Sequence, residues 1–240
     1  MFAMRMVNRI ARLKRYLLGI AVVLVGVCGI GCSGDVPGSR FFPLVPGQSW
    51  QYQVQRTTMD GVVQMRHILT TLPTPAADSA VTAIRESIAG HRYAYLVNES
   101  GTFRVSEDAE AEPEMVLPHT LEADTHWRSI THTSVLENSG APWESLFRIE
   151  QEIEMTYRVE ALNASVSTPA GEFSDCVIVS GYGKTSANVG NYIGVADIEV
   201  SSREWFAPGV GLVRMERQES TTAEALAGGS LTMVLDHWDD

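Results

Sequence analysis

The stretch from Leu146 to Ala161 alternates apolar and polar residues more regularly than any other part of the chain. Gln151 is the one residue that interrupts its apolar row. A period of two places successive side chains on opposite faces of a β-strand. We therefore predict a single strand here, with one dry face and one wet face, long enough to bend or twist across a large sheet. The dry face carries Phe147, Ile149, Ile153, Met155, Tyr157, Val159 and Ala161.

Shorter alternating segments bounded by glycine, proline and asparagine turns fill the rest of the chain after residue 40. No segment shows the 3.6-residue period of an amphipathic helix. The pattern predicts an all-β fold, a large curved antiparallel sheet or an incomplete β-barrel of about eleven or twelve strands. No linker divides residues 41–240, which we predict to be a single β domain.

The distribution of charge excludes some partners. Of the 18 Lys and Arg residues, five lie in residues 1–31, where there is no acid, so that 13 bases remain against 29 acids. Such a surface repels nucleic-acid backbones and anionic lipid headgroups. We expect no nucleic-acid partner.

The N-terminus has the form of a secretory signal peptide: a basic stretch to residue 15, an apolar run from Leu17 to Val27, and small residues after it. The apolar run is shorter than the ~20 residues of a comfortable membrane span, although an uncleaved signal anchor stays an alternative. Gly29-Ile-Gly31-Cys32 resembles a bacterial lipobox, with Gly31 as the small residue before the modified cysteine.

That resemblance implies cleavage between Gly31 and Cys32 and attachment of acyl chains, palmitate among them, to Cys32. Residues 1–31 are then a lipoprotein signal peptide and residues 32–40 a tether. The expected location is the cell envelope, through a membrane anchor. Ser33 after the cysteine favours the outer membrane, facing the periplasm, by the enterobacterial sorting rule.

Motifs for catalysis or cofactor binding are absent or incomplete. The six histidines have no metal-ligand spacing, and no G-x-S-x-G elbow is present. Gly183-Lys184-Thr185 follows an apolar strand as in a phosphate-binding loop, but Ile178 stands where the first glycine is needed. We interpret this segment as a strand end and turn. We predict no catalytic residue, no metal site and no cofactor.

Three segments resemble a family: FFPLVPGQSWQY (41–52), VSTPAGEFSDCVIV (166–179) and WFAPGVGLVRMER (205–217). Together they are similar to signatures of uncharacterised bacterial lipoproteins of the DUF3108 and TapB type. The resemblance implies an all-β fold with a strongly curved antiparallel sheet. It supplies no catalytic residues.

The sequence favours a non-enzymatic binding module that holds an apolar ligand or lipid against its concave sheet. The predicted ligand-facing residues are Phe147, Ile149, Ile153, Met155 and Tyr157. An alternative is a structural or interaction lipoprotein that contacts another envelope protein. A hydrolase of envelope polymers is the least favoured, because no spacing displays converging carboxylates or a Ser/His pair.

Overall fold

The structure is a computed structural model that describes residues 40–73, 81–106, 111–140, 145–190 and 194–239. A short 3-10 helix, Glu224–Leu226, precedes the last strand. Within the described ranges, no helix has the length and apolar character needed to cross a membrane. The strands are β1 (Ser49–Thr58), β2 (Gly61–Thr71), β3 (Ala83–Ser87), β4 (Arg92–Asn98), β5 (Gly101–Val105), β6 (Glu114–Pro118), β7 (His126–His132), β8 (Glu137–Gly140), β9 (Ser145–Arg148), β10 (Glu152–Thr168), β11 (Gly171–Asn188), β12 (Val195–Ala207), β13 (Gly211–Thr221) and β14 (Gly228–Asp239).

Twelve strands form one antiparallel sheet in the order β6-β5-β4-β3-β2-β1-β14-β13-β12-β11-β10-β7. The sheet curls until it is nearly closed into a barrel with one seam, which lies between its edge strands β6 and β7. Strands β8 and β9 form a separate hairpin. The predicted all-β class and the curved antiparallel sheet are confirmed.

The prediction of one strand from Leu146 to Ala161 is wrong, because this stretch is divided between β9 and β10, which belong to different sheets. The break falls beside Gln151, the residue that interrupts the apolar row. Two hydrogen bonds join Thr133 to Gln151 at this break. The Thr133 N–H donates to Gln151 O at 3.0 Å, and the Thr133 hydroxyl accepts a hydrogen bond from Gln151 N–H at 2.9 Å. The residues before the break therefore form part of the β8–β9 hairpin, which covers the main sheet, and the residues after it continue as β10.

Strands β10 and β11 make a long hairpin of 17 and 18 residues whose tip folds back on the sheet. Register shifts interrupt their pairing near the tip, and Asn163 and Asp175 both have a φ of 55°. Bulges of this kind bend a strand pair. The bent tip reaches β14, where Ala170 N–H donates to Leu235 O at 3.2 Å. A buried cluster forms between the tip and the sheet from Trp50, Tyr52, Val166, Cys176, Ile178, Trp205 and Leu235.

Two further clusters fill the space enclosed by the curved sheet. Burying a large apolar side chain contributes about 1.5–3 kcal/mol, so these clusters supply much of the stabilisation of the fold. One lies under the β8–β9 hairpin and the 3-10 helix and contains Leu136, Ile149, Ile153, Met155, Ile198, Val200 and Leu226. The other contains Phe42, Tyr95, Leu117, Trp127, Val159, Val177, Val179 and Phe206.

Candidate interaction site

Among the described residues, strand β2 has a strand partner on one side only over most of its length. On one side, β1 pairs with residues 61–70 of β2. On the other side, β3 pairs only with residues 69–71. The segment Gly61–His67, here called the β2 edge, therefore has a strand partner on one side only among the described residues.

One hydrogen bond shows to which side the backbone N–H and C=O groups point along this edge. Ile68 O points away from β1, because it accepts a hydrogen bond from Ile88 N–H at 3.0 Å. Antiparallel strands direct the backbone groups of successive residues alternately to the two sides. The N–H and C=O groups of Arg66, Gln64 and Val62 therefore point outward like those of Ile68. An incoming strand has hydrogen-bonding groups available at these three residues.

The side chains around the β2 edge are apolar and exposed to solvent. Met59 is 46% exposed, Val62 60%, Val63 54%, Met65 46%, and Ile88 beyond the edge 72%. Soluble proteins usually protect an edge with charge, proline or a covering segment. Contiguous exposed apolar residues mark interaction sites. The combination of unpaired backbone groups and apolar side chains makes the β2 edge the leading candidate for a binding surface.

Clefts lie on two sides of the β2 edge. One, of about 560 Å³, separates Met65 from the loop after β7 and is lined by Arg56, Met65, His132, Thr133, Ser134, Arg148 and Glu150. The other, of about 550 Å³, lies over β14, β1 and β2 and is lined by Gln53, Val54, Gln55, Gln64, Met65, Arg66, Thr232, Val234 and Asp236. Both clefts give a partner's side chains room beside the edge.

Two carboxylates hold the loop after β7 in place and so shape the first cleft. Glu219 accepts hydrogen bonds from Ser134 N–H and Val135 N–H, each at 2.9 Å, and from Arg217 Nε–H at 2.7 Å. Its side chain is fully buried and that of Arg217 is 9% exposed. Glu219 and Arg217 both lie on β13. The hydrogen bonds of Glu219 therefore attach the loop after β7 to this strand, and the ion pair itself is shielded from water.

Glu137, the second carboxylate, binds two arginines. Arg56 Nη1 donates to one of its oxygens, and Arg148 Nε donates to the other at 3.0 Å. The hydrogen bond from Arg56 and then that from Arg148 lower the pKa of the Glu137 carboxyl, against the effect of burial. Arg56 Nη2 also donates to Ser134 O at 2.6 Å. The charges of the cleft wall are thus largely neutralised within the protein.

A half-buried polar centre lies near Tyr157. The Tyr157 ring stacks on Trp127 with ring centroids 5.6 Å apart. Burial raises the pKa of the Glu204 carboxyl to about 7, although the charge of Arg217 opposes that shift. Burial and the nearby Glu204 raise the pKa of the Tyr157 hydroxyl as well. A raised carboxyl pKa is a property of some catalytic acids. Neither cleft beside β2 is lined by Glu204.

Arg85 is another buried charged group. Its guanidinium carbon lies 4.2 Å from the Trp50 ring, 4.3 Å from Phe42 and 5.6 Å from Tyr95, and Nη2 donates to Pro43 O at 2.6 Å. Burial lowers the pKa of Arg85. The cation is held by aromatic faces, and it joins β3 to the segment before β1.

The residues predicted to face a ligand lie at three different levels of burial. Ile149 is 4% exposed, Ile153 1% and Met155 0%, because Leu136 and Leu226 cover them. Tyr157 is half-buried, and Phe147 is 42% exposed on β9. The structure brings three of the five together in one cluster, in which each of the three is buried. Gly31 and Cys32, the predicted cleavage and lipid-attachment positions, lie outside the described residues.

The motifs considered for chemistry have structural explanations. Gly183 and Lys184 lie within β11, not at a strand end and turn as predicted. A Cβ on Gly183 would be 2.7 Å from Ile153 Cγ2, so the glycine is needed for packing. Lys184 Nζ donates to Glu199 at 2.8 Å on the outer surface. Burial raises the pKa of Cys176 to about 11, and the described residues contain no group of three side chains suited to a metal ion.

The sequence analysis missed the β2 edge, although β2 differs locally from the other strands. Val62 and Val63 are adjacent, so β2 places an aliphatic side chain on each face, and Met65 follows between Gln64 and Arg66. The loss of alternation is a signal that neither face is clearly polar. Which side of the strand is unpaired depends on where β3 begins, and no local pattern reports that.

A family model described as DUF3108-like matches residues 111–224. The resemblance to DUF3108 proteins is therefore confirmed for this part of the chain, which contains two of the three quoted segments, 166–179 and 205–217. Comparison with curated protein sequences finds no match.

Two solved structures are similar to this chain. One is a candidate exported protein with a YmcC-like fold from Bacteroides fragilis, at 15% identity and a TM-score of 0.43, covering 83% of this chain and 99% of its own. The other is a candidate lipoprotein from Parabacteroides distasonis, at 15% identity and a TM-score of 0.40, covering 83% of this chain and 98% of its own.

Proposed function

We propose that this protein with a DUF3108-like region is an exported bacterial lipoprotein whose β domain is a non-enzymatic interaction module. The module binds another protein by adding that protein's strand to the β2 edge. The observation that carries the proposal is the outward direction of the backbone groups of Val62, Gln64 and Arg66 beside exposed apolar side chains. Strand addition of this kind takes its affinity from main-chain hydrogen bonds and its specificity from side-chain pockets.

The membrane anchor is part of the proposal and rests on the sequence. Cleavage after Gly31 leaves Cys32 as the lipid-modified residue, residues 32–40 as the tether and residues 41–240 as a single β domain. The expected location is the outer membrane on its periplasmic side. Several acyl chains give stable anchoring, since each buried methylene contributes about 0.8 kcal/mol.

Metabolic labelling with palmitate tests the anchor. The Cys32→Ala variant should lose the label and remain as the uncleaved precursor, whereas the matched Cys28→Ala variant should keep the label. A Cys32→Ala variant that still takes up palmitate would exclude Cys32 as the attachment site.

Proline at position 64 tests the interaction surface. Gln64 N–H points outward, so Gln64→Pro removes a donor from the free edge without breaking the β1–β2 ladder. A photo-crosslinking residue at Val62 should capture a protein in intact cells in the parent and in the Gln64→Ala control, which keeps the N–H. Capture should be lost in Gln64→Pro. Equal capture in all three would contradict strand addition at this edge.

Binding of an apolar ligand has less support from the geometry. Ile149, Ile153 and Met155 lie beneath a cover held by Glu219 and Glu137, so a ligand must displace that cover to reach them. Uptake of a hydrophobic probe by the delipidated protein, or lipid that copurifies with it, would restore this function to first place.

A further inference from the structure

We infer that a cleft on the solvent-exposed face of strands β7, β10 and β11 binds a soluble phosphomonoester. The cleft, here called the β10 cleft, has a volume of about 490 Å³ and is lined by His126, Thr156, Arg158, Ser180, Gly181 and Tyr182. It shares no lining residue with the two clefts beside the β2 edge, so the inference does not depend on strand addition there. It is carried by an arginine without a carboxylate partner, by the donors around that arginine and by an exposed aromatic ring.

The register of the strands brings the polar side chains of the β10 cleft together. Arg158 pairs with His126 of β7 on one side and with Ser180 of β11 on the other. Thr156, two positions earlier on β10, pairs with Tyr182 of β11. Residues that pair directly have Cβ atoms about 4.5–5.5 Å apart, and residues two positions apart share a face of the sheet. The five side chains therefore form two adjacent rows on one face.

Arg158 is a cation for which the described part of the chain supplies no counterion. Its guanidinium forms no ion pair with a described carboxylate. Its one hydrogen bond within the described ranges is long, with Nε donating to Ser180 Oγ at 3.4 Å. The side chain is exposed to solvent. The two terminal nitrogens of the guanidinium are therefore available to a ligand.

The carboxylates that flank the β10 cleft are bound by other arginines. Glu154 and Glu160 lie on the same face of β10, two positions before Thr156 and two positions after Arg158. Arg128 Nη1 lies 3.2 Å from Glu154, and Arg203 Nε donates to Glu160 at 3.1 Å. The charge of Arg158 thus remains uncompensated, although the chain has 29 acidic residues against 18 Lys and Arg residues. A local positive charge of this kind complements an anionic ligand.

The donors in the β10 cleft fit a phosphate better than a carboxylate. A guanidinium presents two parallel N–H groups, which suffice for the two oxygens of a carboxylate. The imidazole of His126 and the hydroxyls of Ser180 and Thr156 add three further donors beside Arg158. A phosphomonoester has three terminal oxygens, each a strong acceptor, and can use these additional donors. The donor set therefore favours the monoester.

Tyr182 provides a surface for the organic part of the ligand. Its side chain is 53% exposed, and it lies in the row next to Arg158. An exposed ring has a free face on which a planar or apolar group can pack. The acidic surface of the rest of the protein repels polyanions and anionic lipid surfaces. A small soluble ligand with a single phosphate avoids that repulsion.

Calorimetric titration of the full chain in neutral detergent, with phenyl phosphate as the probe, tests the inference. The parent should bind the probe saturably. Arg158→Gln should weaken binding by at least about tenfold, because hydrogen bonds to a charged group are lost. The matched control is Arg128→Gln, which removes an arginine of the same face that is already paired with Glu154, and it should bind as the parent does. Both arginines are exposed, so the two variants should melt with the parent.

Two further probes define the ligand. Tyr182→Leu should weaken the binding of phenyl phosphate but not that of inorganic phosphate, because only the phenyl ring packs on Tyr182. Diphenyl phosphate, a diester like the headgroups of most phospholipids, should bind more weakly than the monoester. Absence of saturable binding by the parent, equal binding by Arg158→Gln or tighter binding of the diester would each overturn the inference. Unchanged binding of phenyl phosphate by Tyr182→Leu would overturn the role given to the ring.

Discussion

Replacing Glu219 by alanine tests how the loop after β7 is attached to β13. The carboxylate is fully buried and accepts hydrogen bonds from Ser134 N–H, Val135 N–H and Arg217. Removing the Glu219 carboxylate leaves the Arg217 guanidinium, which is also on β13, buried without the carboxylate that pairs with it. Breaking a buried pair from one side costs about 3–5 kcal/mol, because the remaining charge is uncompensated. We expect Glu219→Ala to lose stability in that range.

Urea unfolding followed by tryptophan fluorescence measures the loss. With a urea m-value of about 3 kcal/mol/M, the midpoint should fall by about 1–2 M. The control is a double-mutant cycle with Arg217→Met, which removes the charge that Glu219→Ala leaves behind. Arg217→Met should cost less in the Glu219→Ala background than in the parent. A midpoint shift below about 0.3 M, or strictly additive effects, would refute the conclusion that the buried ion pair stabilises the attachment of the loop after β7 to β13.

Three further predictions concern the interior. The pKa of Glu204 is raised from 4.5 to about 7, so the folded protein keeps this proton to higher pH than the unfolded chain does. The free energy of unfolding should therefore fall as the pH rises from 4.5 to 7. Glu204→Gln should make that fall smaller, as measured by urea titrations at about pH 5 and about pH 8. Arg85→Ala should cost about 2–5 kcal/mol, because it leaves a cavity between the Phe42, Trp50 and Tyr95 rings, whereas Arg85→Met, which keeps most of the volume without the charge, should cost less than half of that in thermal unfolding. Gly183→Ala should cost about 1–3 kcal/mol by overpacking against Ile153, and Ala187→Gly in the same strand gives a comparison in which no clash is created.

The fold class was predictable because its signal is local. Alternation from Ile153 to Val159 reports a strand with one buried face, and the structure buries Ile153, Met155 and Val159. The same reasoning extended the strand through Gln151, where the chain instead leaves the sheet. The hydrogen bonds between Thr133 and Gln151 at this break join residues separated by a turn and two strands, so periodicity within one segment does not report them.

The candidate site was less predictable for the same reason. The free side of β2 is decided by the position at which β3 joins the sheet, which is a property of chain topology. Gly183 and Lys184 form a motif in sequence, but the structure places Gly183 against Met155 and Lys184 against Glu199 on opposite faces of one strand. Buried Arg85 has no sequence signal, because the Phe42, Trp50 and Tyr95 rings around it come from separate segments.

The pairing of β1 with β14 has a consequence for the order in which the molecule assembles. Ser49 pairs with Asp239, a separation of 190 residues, and among the described residues this is the one ladder that joins strands β1–β6 to strands β7 and β10–β14. Contacts so distant in sequence slow folding, because the entropy of closing the loop is lost before the contact forms. The strands on each side of this ladder can form their hairpins early, but the two groups of strands join only when residues after Gly228 are available. A chain emerging from a membrane or a ribosome therefore completes this sheet last, with its final strand.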